Sequence, residues 1–311
     1  MGGGVDVDLN VDVFDVVFGE DVMVYITLRG LDDVNLSCNV SLNVDNVEYQ
    51  VEVIDGVACF NILNLNPNIY RANVYYGGSE VYNPQSDFCI FHVKSIPCLE
   101  IFADNINYGE KLTVFVNTNS TATGNVTVII NNKEYVICLV DGEGNITVDD
   151  ILDAGVYNVF ANYSGDVNYA GVINDSVLFN VSKIVFDFNV NVDNISVGLK
   201  PTIIISTDKN TTASFNITIN NITKEIFLNN SNMCVVEWPS NFSTVGFYNV
   251  AVIYCGDENH NNNIVNTFFE VFKGSSNITI SFNSNIIDYG DDIIVSVKIN
   301  GGVKGNVCEF S

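Results

Sequence analysis

The sequence predicts an all-β chain built from a module of about ninety residues repeated in tandem. Three observations carry that expectation. The dominant residues are Val, Ile, Phe, Tyr, Asn and Thr, with 46 Asn in 311 residues, a vocabulary of strands and turns rather than of helices. Apolar and polar residues alternate strictly over short runs, the period of a half-buried strand. Several landmarks also recur in register along the chain, which marks internal repetition.

The landmarks set the module boundaries. A bulky residue followed by glycine recurs at Phe18-Gly19-Glu20, Tyr108-Gly109-Glu110, Val197-Gly198-Leu199 and Tyr289-Gly290-Asp291, with the glycines 90, 89 and 92 residues apart. Tyr70 and Tyr76, Tyr157 and Tyr163, and Tyr248 and Tyr254 follow at a constant separation of six. Asn39-Val40-Ser41 through Asp55-Gly56 aligns without a gap onto Asn125-Val126-Thr127 through Asp141-Gly142. Asn216-Ile217-Thr218 with Lys224-Glu225 aligns in the same way onto Asn125-Val126-Thr127 with Lys133-Glu134. The expected modules are therefore 1–95, 96–183 and 184–273, with the start of a fourth at 274–311. Gly305-Asn306-Val307 matches Gly124-Asn125-Val126, so the fourth reaches only its third strand, too few to close a core, and the chain is expected to be a fragment. The joins Lys94-Ser95-Ile96-Pro97, Ser182-Lys183-Ile184 and Phe272-Lys273-Gly274-Ser275 are short, which favours a semi-rigid rod.

Within each module the pattern is that of strands and turns. Val5, Val7, Leu9, Val11 and Val13 alternate with Asp6, Asp8, Asn10 and Asp12; Val126, Val128 and Ile130 form one face of a second run, and Ile278, Ile280 and Phe282 one face of another. Turn signals fall between runs at Asn131-Asn132-Lys133, Asp141-Gly142 and Gly165-Asp166. The second module then reads as seven strands at 98–104, 111–117, 124–131, 134–140, 144–149, 156–163 and 175–182. Seven short strands in about ninety residues is the pattern of an immunoglobulin-like β-sandwich. Tyr157, after Asp153-Ala154-Gly155-Val156, stands where such a sandwich places a tyrosine corner, and Tyr70 and Tyr248 hold the same place.

The series Tyr157-x5-Tyr163-Ser164-Gly165-Asp166-x-Asn168-Tyr169, after Gly124-Asn125-Val126-Thr127-Val128, resembles the bacterial Ig-like repeat domains of adhesin-like surface proteins, a family abundant in methanogenic archaea. The first module departs from it with Gly77-Gly78-Ser79-Glu80, and the third keeps Gly256-Asp257-Glu258-Asn259 but continues with His260. The resemblance implies a secreted or wall-associated protein with many such domains, surface display and cell adhesion, and it carries no catalytic residues. The repeat-motif turn it marks is Gly78 in the first module, Gly165-Asp166 in the second and Gly256-Asp257 in the third.

Site chemistry is sparse. With 12 basic against 37 acidic residues the net charge is −25, which disfavours nucleic acid as a partner. No run of about eighteen apolar residues is present to span a bilayer, and Met1-Gly2-Gly3-Gly4-Val5-Asp6 has neither the charge nor the apolar core of a signal peptide. Signal and anchor are expected outside this fragment. The eight cysteines, Cys38, Cys59, Cys89, Cys98, Cys138, Cys234, Cys255 and Cys308, form no C-x-x-C and do not recur between modules, so free thiols are expected, the alternative being a single bridge such as one between Cys89 and Cys98 flanking the first join. His92 and His260 assemble no triad and read as exposed or capping residues. Asp6, Asp8 and Asp12 form a straight row rather than a converging set of roughly six to eight oxygens. Asp166, Asn168, Asp257 and Asn259 near the joins offer partial sets for an inter-domain calcium; no other cofactor is expected. Asn-x-Ser/Thr occurs fifteen times, and Asn125, Asn145, Asn162, Asn180, Asn216 and Asn221 are the candidate N-glycosylation sites, although strand alternation around a buried central residue also generates such triplets.

The functional expectation is a structural, non-enzymatic stalk of a cell-surface adhesin-like glycoprotein, spacing or displaying a binding region. The alternative is that the modules themselves bind a glycan or a surface-protein partner, with Tyr82 and Tyr169 as first contacts.

Overall fold

The structure is a computed structural model that describes residues 4–275, 277–282, 286, 288–290 and 294–300. The chain divides into two compact units, Met1–Ser182 and Lys183–Ser311. Its fold is a tandem series of immunoglobulin-like β-sandwiches, as the strand pairing shows.

The first unit holds two sandwiches. In the first, the alternating N-terminal run forms β1 (Asp8–Val13), followed by β2 (Val16–Val17), β3 (Val22–Arg29), β4 (Cys38–Val44), β5 (Val47–Val53), β6 (Val57–Ile62), β7 (Asn68–Tyr76) and β8 (Gln85–Lys94). Three strands pair in the order β1-β3-β6 and five in the order β2-β8-β7-β4-β5. Alternation sends Leu9, Val11 and Val13 of one sheet against Val40, Leu42, Tyr70, Val74 and Phe91 of the other, and these side chains form one buried cluster. The second sandwich repeats this with β9 (Glu100–Ala103), β10 (Ile106–Asn107), β11 (Thr113–Asn117), β12 (Asn125–Ile130), β13 (Lys133–Cys138), β14 (Glu143–Thr147), β15 (Gly155–Tyr163) and β16 (Val172–Ser182). The orders are β14-β11-β9 and β10-β16-β15-β12-β13. Val114, Val116, Val126, Val128, Tyr163 and Phe179 lie in its separate core. The seven expected strands are all present, and just beyond the expected first strand the short β10 crosses to pair with the other sheet.

The second unit contains β17 (Ile184–Val185), β18 (Asn189–Val192), β19 (Ile195–Ser196), β20 (Thr202–Ile219), β21 (Ile222–Glu237), β22 (Gly246–Tyr254), β23 (His260–Asn261) and β24 (Asn263–Phe272) around a third core that includes Phe215, Trp238 and Phe269. Here β20 and β21 run on where the other sandwiches break their strands, so the pairing is continuous in one sheet, β18-β20-β22-β24-β19 with β21 on β20. The hairpin corrects the alignment expected for this module. Ile219 pairs with Ile222 across Asn220-Asn221, as Ile130 pairs with Lys133 across Asn131-Asn132, so Ser214, not Asn216, takes the place of Asn125. A shift of two residues leaves strand alternation intact, which is why the pattern alone accommodates either register.

A last hairpin, β25 (Asn277–Phe282) with β26 (Val295–Asn300), pairs Ile278 with Ile299 and Phe282 with Val295. Residues 301–311 of the expected fourth module, including Gly305-Asn306-Val307 and Cys308, lie outside the described residues.

Candidate functional site

Each sandwich holds its first and last strands together by the same device. The short second strand runs parallel to the last: Val17 is in register with Lys94, Asn107 with Ser182, and Ser196 with Phe272. One further bond extends each pair, from the amides of Phe18, Tyr108 and Val197 to the carbonyls of Lys94, Ser182 and Phe272, each at 2.9 Å. An Asx side chain then stitches the kink between the first two strands to the last strand. Asp15 Oδ1 accepts from His92 N at 2.8 Å, Asn105 Oδ1 from Asn180 N at 2.7 Å, and Asn194 Oδ1 from Glu270 N at 2.8 Å. The sequence reading missed this stitch, although its signal is present: an Asx four residues before each of the landmark glycines Gly19, Gly109 and Gly198. Those glycines sit at φ +96, +90 and +90 in the turn that follows. Glu20 and Glu110 close that turn by accepting from Val17 N at 2.8 Å and Asn107 N at 2.7 Å, and Leu199 replaces them in the third sandwich.

The repeat-motif turn receives the chain at the opposite end. Val5 is bridged in parallel to Tyr82, Ser95 to Tyr169 and Ile184 to His260. At the first join no residue is left between sandwiches: Lys94 O takes the Phe18 amide, while Ser95 N donates to Asn168 O at 2.9 Å and Ser95 O accepts from Ala170 N at 2.8 Å. Gly165 needs its positive φ of +84, and a Cβ there would meet Tyr169 O at 2.5 Å. Asp166 Oδ1 accepts from the amides of Asn168 and Tyr169 at 2.7 and 2.8 Å, and its Oδ2 from Thr123 N and Oγ1 at 2.8 and 2.9 Å. Burial alone would raise this carboxyl, but those bonds outweigh it and hold it below the usual aspartate value. Asp257 does the same for Asn259 N, His260 N and the His260 ring. Burial opposes its charge too, yet the neighbouring Tyr254 hydroxyl and these amides bring it down to about 2. In the first sandwich Ser79 Oγ serves the equivalent amides of Val81 and Tyr82 at 3.2 and 3.1 Å, beside Gly78 at φ +82.

Four of the landmark tyrosines are fixed by hydroxyl bonds to backbone carbonyls. Tyr70, Tyr157 and Tyr248 donate to Asn66 O, Asp153 O and Thr244 O at 2.9, 2.9 and 2.8 Å, each four residues upstream. Tyr70, Tyr157 and Tyr248 also stack on Phe91, Phe179 and Phe269. Tyr163 is fully buried, donates to Thr123 O at 3.0 Å, and burial and then Asp166 push its hydroxyl up to about 12.

The other expected residues fall as follows. Tyr82 and Tyr169 are not projecting contacts: both are half-buried against their own cores, and Tyr169 Oη bonds Thr121 Oγ1 at 2.6 Å. His92 and His260 are each bonded to an aspartate, Asp15 at 3.1 Å and Asp257 at 2.9 Å, with about a fifth of each side chain exposed. Cys38, Cys59, Cys89, Cys98, Cys138, Cys234 and Cys255 are free thiols, and burial pushes Cys38 and Cys234 up. Asp6, Asp8 and Asp12 are exposed. Among the described residues no three His, Cys, Asp or Glu side chains converge as a metal site would need. Among the candidate sequons, Asn125, Asn145, Asn162 and Asn221 are exposed, whereas Asn180 Nδ2 is engaged by Ser182 Oγ at 2.9 Å and Asn216 Nδ2 by Cys255 Sγ at 3.3 Å.

No protein-family model and no curated protein matches the chain. Among solved structures, the chain is similar to a 1.5-MDa bacterial ice-binding adhesin (14% identity, 87% of this chain and 98% of that one, TM-score 0.29). It is also similar to an I-band fragment of titin (11% identity, 86% and 99%, TM-score 0.44) and to the immunoglobulin domains of Sidekick-1 (11% identity, 88% and 60%, TM-score 0.38).

Proposed function

We propose that the chain is part of a cell-surface stalk in which Ig-like modules space or display a binding region of an adhesin-like protein under tension. The observation that carries this reading is the path of the chain through each sandwich. It arrives beside the loop before the last strand and leaves at the far end of that strand. A pull on the two ends therefore runs along the parallel pair and loads its backbone bonds and the Asx stitch together, in shear, rather than one at a time. At the first join, where Lys94 is bonded to one sandwich and Ser95 to the next, no slack residue absorbs the load.

Pulling single molecules of the full chain tests the reading. Stepwise unfolding is expected, each step releasing roughly 30 nm for a ninety-residue module at ~3.5 Å per residue. Replacing Asp15, Asn105 and Asn194 together by Ala should lower the force of every step. Smooth extension without steps, or step forces untouched by the triple substitution, would refute it.

A further inference from the structure

The outer face of the three-stranded sheet in the second sandwich carries a surface that the stalk reading does not use. Phe102, Phe115 and Asn145 stand side by side across β9, β11 and β14, each in register with the next. The two rings are 54% and 48% exposed, leaving apolar surface that a ligand could cover. They floor an open groove of about 810 Å³. The row above is polar: Glu100, Asn117 and Glu143 are in register, with Asn117 Nδ2 on Glu100 Oε2 at 3.3 Å. In the row below, Thr113 and Thr147 share a hydroxyl bond of 2.9 Å. Asn145-Ile146-Thr147 is a sequon, and Asn145 is exposed at the end of the aromatic row. The other sandwiches lack the combination: Asp12, Tyr25 and Cys59 occupy these places in the first, and Asn191, Ile204 and Val235 in the third.

We propose that Asn145 is N-glycosylated and that the first sugars of its glycan lie along Phe115 and Phe102. In the modification, Asn145 Nδ2 attacks C1 of a saccharide carried on a polyprenyl pyrophosphate. The C1–N bond forms, the C1–O bond to phosphate breaks, the lipid pyrophosphate leaves with the electron pair, and the amide loses one proton. The C–H face of a pyranose then covers the rings, while its hydroxyls meet the carboxylates and amide of the row above, which accept and donate hydrogen bonds. The two carboxylates and the absence of a basic side chain in that row suit a neutral sugar and repel an acidic one. The inference rests on surface display, because the saccharide donor must meet the chain outside the cytosol.

The test uses protein recovered from the cells that produce it. Peptide mass spectrometry with site-resolving fragmentation should find a hexose-containing mass on Asn145, and T147A, which leaves Asn145 in place but breaks the sequon, should lose it. The Tm of the glycosylated protein should exceed that of N145Q, which removes the acceptor but keeps the Thr113–Thr147 bond, by about 4 °C, the shift of roughly one favourable contact in a domain of this size, and this difference should vanish in the F115L background. Unmodified Asn145 beside other glycosylated sequons, or a Tm difference unchanged by F115L, would overturn the proposal. Protein with no glycan at any sequon would overturn it as well, while leaving the stepwise unfolding expected of the stalk intact.

Discussion

The second and third sandwiches have cores and clamps of the same kind but part company where the two sheets meet. In the second, β11 ends at Asn117 and β13 at Cys138, and the Asp141-Gly142 turn folds back so that Gly142 O accepts from Thr118 N at 2.8 Å. Gly142 has φ +78, and a Cβ there would lie 2.3 Å from Asn119 O. The first sandwich does the same, with Gly56 O on Leu28 N at 2.9 Å. The third has the five residues Leu228 to Asn232 where the second has the four from Leu139 to Gly142, and none of the five is glycine. Without a glycine, whose missing Cβ permits the close backbone approach seen at Gly142, the chain does not turn back. β20 and β21 continue through the corner, absorbing the mismatch in register shifts between Ser206, Thr211 and Ala213. Thr212 Oγ1 takes the amide of Asn230, itself at φ +49, at 3.2 Å. One glycine thus decides whether the sheets are separate or run into each other, and the buried apolar set is indifferent to the choice.

The sharpest way to break that comparison is to put a β-branched residue at the turn. Gly142→Val combines a disfavoured φ with a backbone clash and should destabilise the second sandwich by about 3 kcal/mol. Asn232→Gly in the third should change stability by less than about 0.5 kcal/mol, because its strands already pass the corner without a turn. Urea unfolding of the full chain, followed by hydrogen exchange to assign each transition to its sandwich, checks both. Equal effects would mean that the turn does not set the architecture.

A smaller effect should be common to the two sandwiches. Tyr157→Phe and Tyr248→Phe each remove one hydroxyl bond to a carbonyl four residues upstream while keeping the stacked ring. Each should cost about 1 kcal/mol in its own sandwich. A loss confined to one of them would show that the corners are not equivalent despite matching geometry.

Much of this was legible in the sequence because it depends on local chemistry. Alternation located the strands of the second sandwich to within a few residues, since one face must be buried and the other wet. The first tyrosine of each pair marked the start of a strand whose entry is fixed by a hydroxyl bond. What escaped notice needs partners distant in sequence. Asn105 reads as an ordinary loop residue until the last strand brings Asn180 N beside it, 75 residues away. Tyr169 reads as an exposed loop aromatic until Thr121 takes its hydroxyl. The slip of two residues in the third module has another cause: alternation has period two, so only the Asn-Asn turn, and not the strand pattern, fixes the register.

The least of the expected effects concerns acid and separates the repeat-motif turns. In the second and third sandwiches a carboxylate, Asp166 or Asp257, holds the loop amides, and its folded pKa is lowered, to about 2 for Asp257 against an ordinary 3.8. A lowered folded value means that the unfolded chain binds the proton more readily. Protonation therefore favours unfolding, and the stabilisation, fully present above about pH 4, is lost as pH falls toward 2. The Asp257 side chain is 45% exposed, so solvent screens much of the interaction and the loss is modest. Ser79 performs the same task in the first sandwich without a titrating group. Between pH 5 and 2, exchange protection of the Asn168, Tyr169, Asn259 and His260 amides should fall more steeply than that of Val81 and Tyr82, beyond the change common to all amides. Asp257→Ser should flatten the third sandwich's response toward that of the first. A parallel decline at all three turns would place the acid sensitivity elsewhere, in the chain's net negative surface rather than in these two carboxylates.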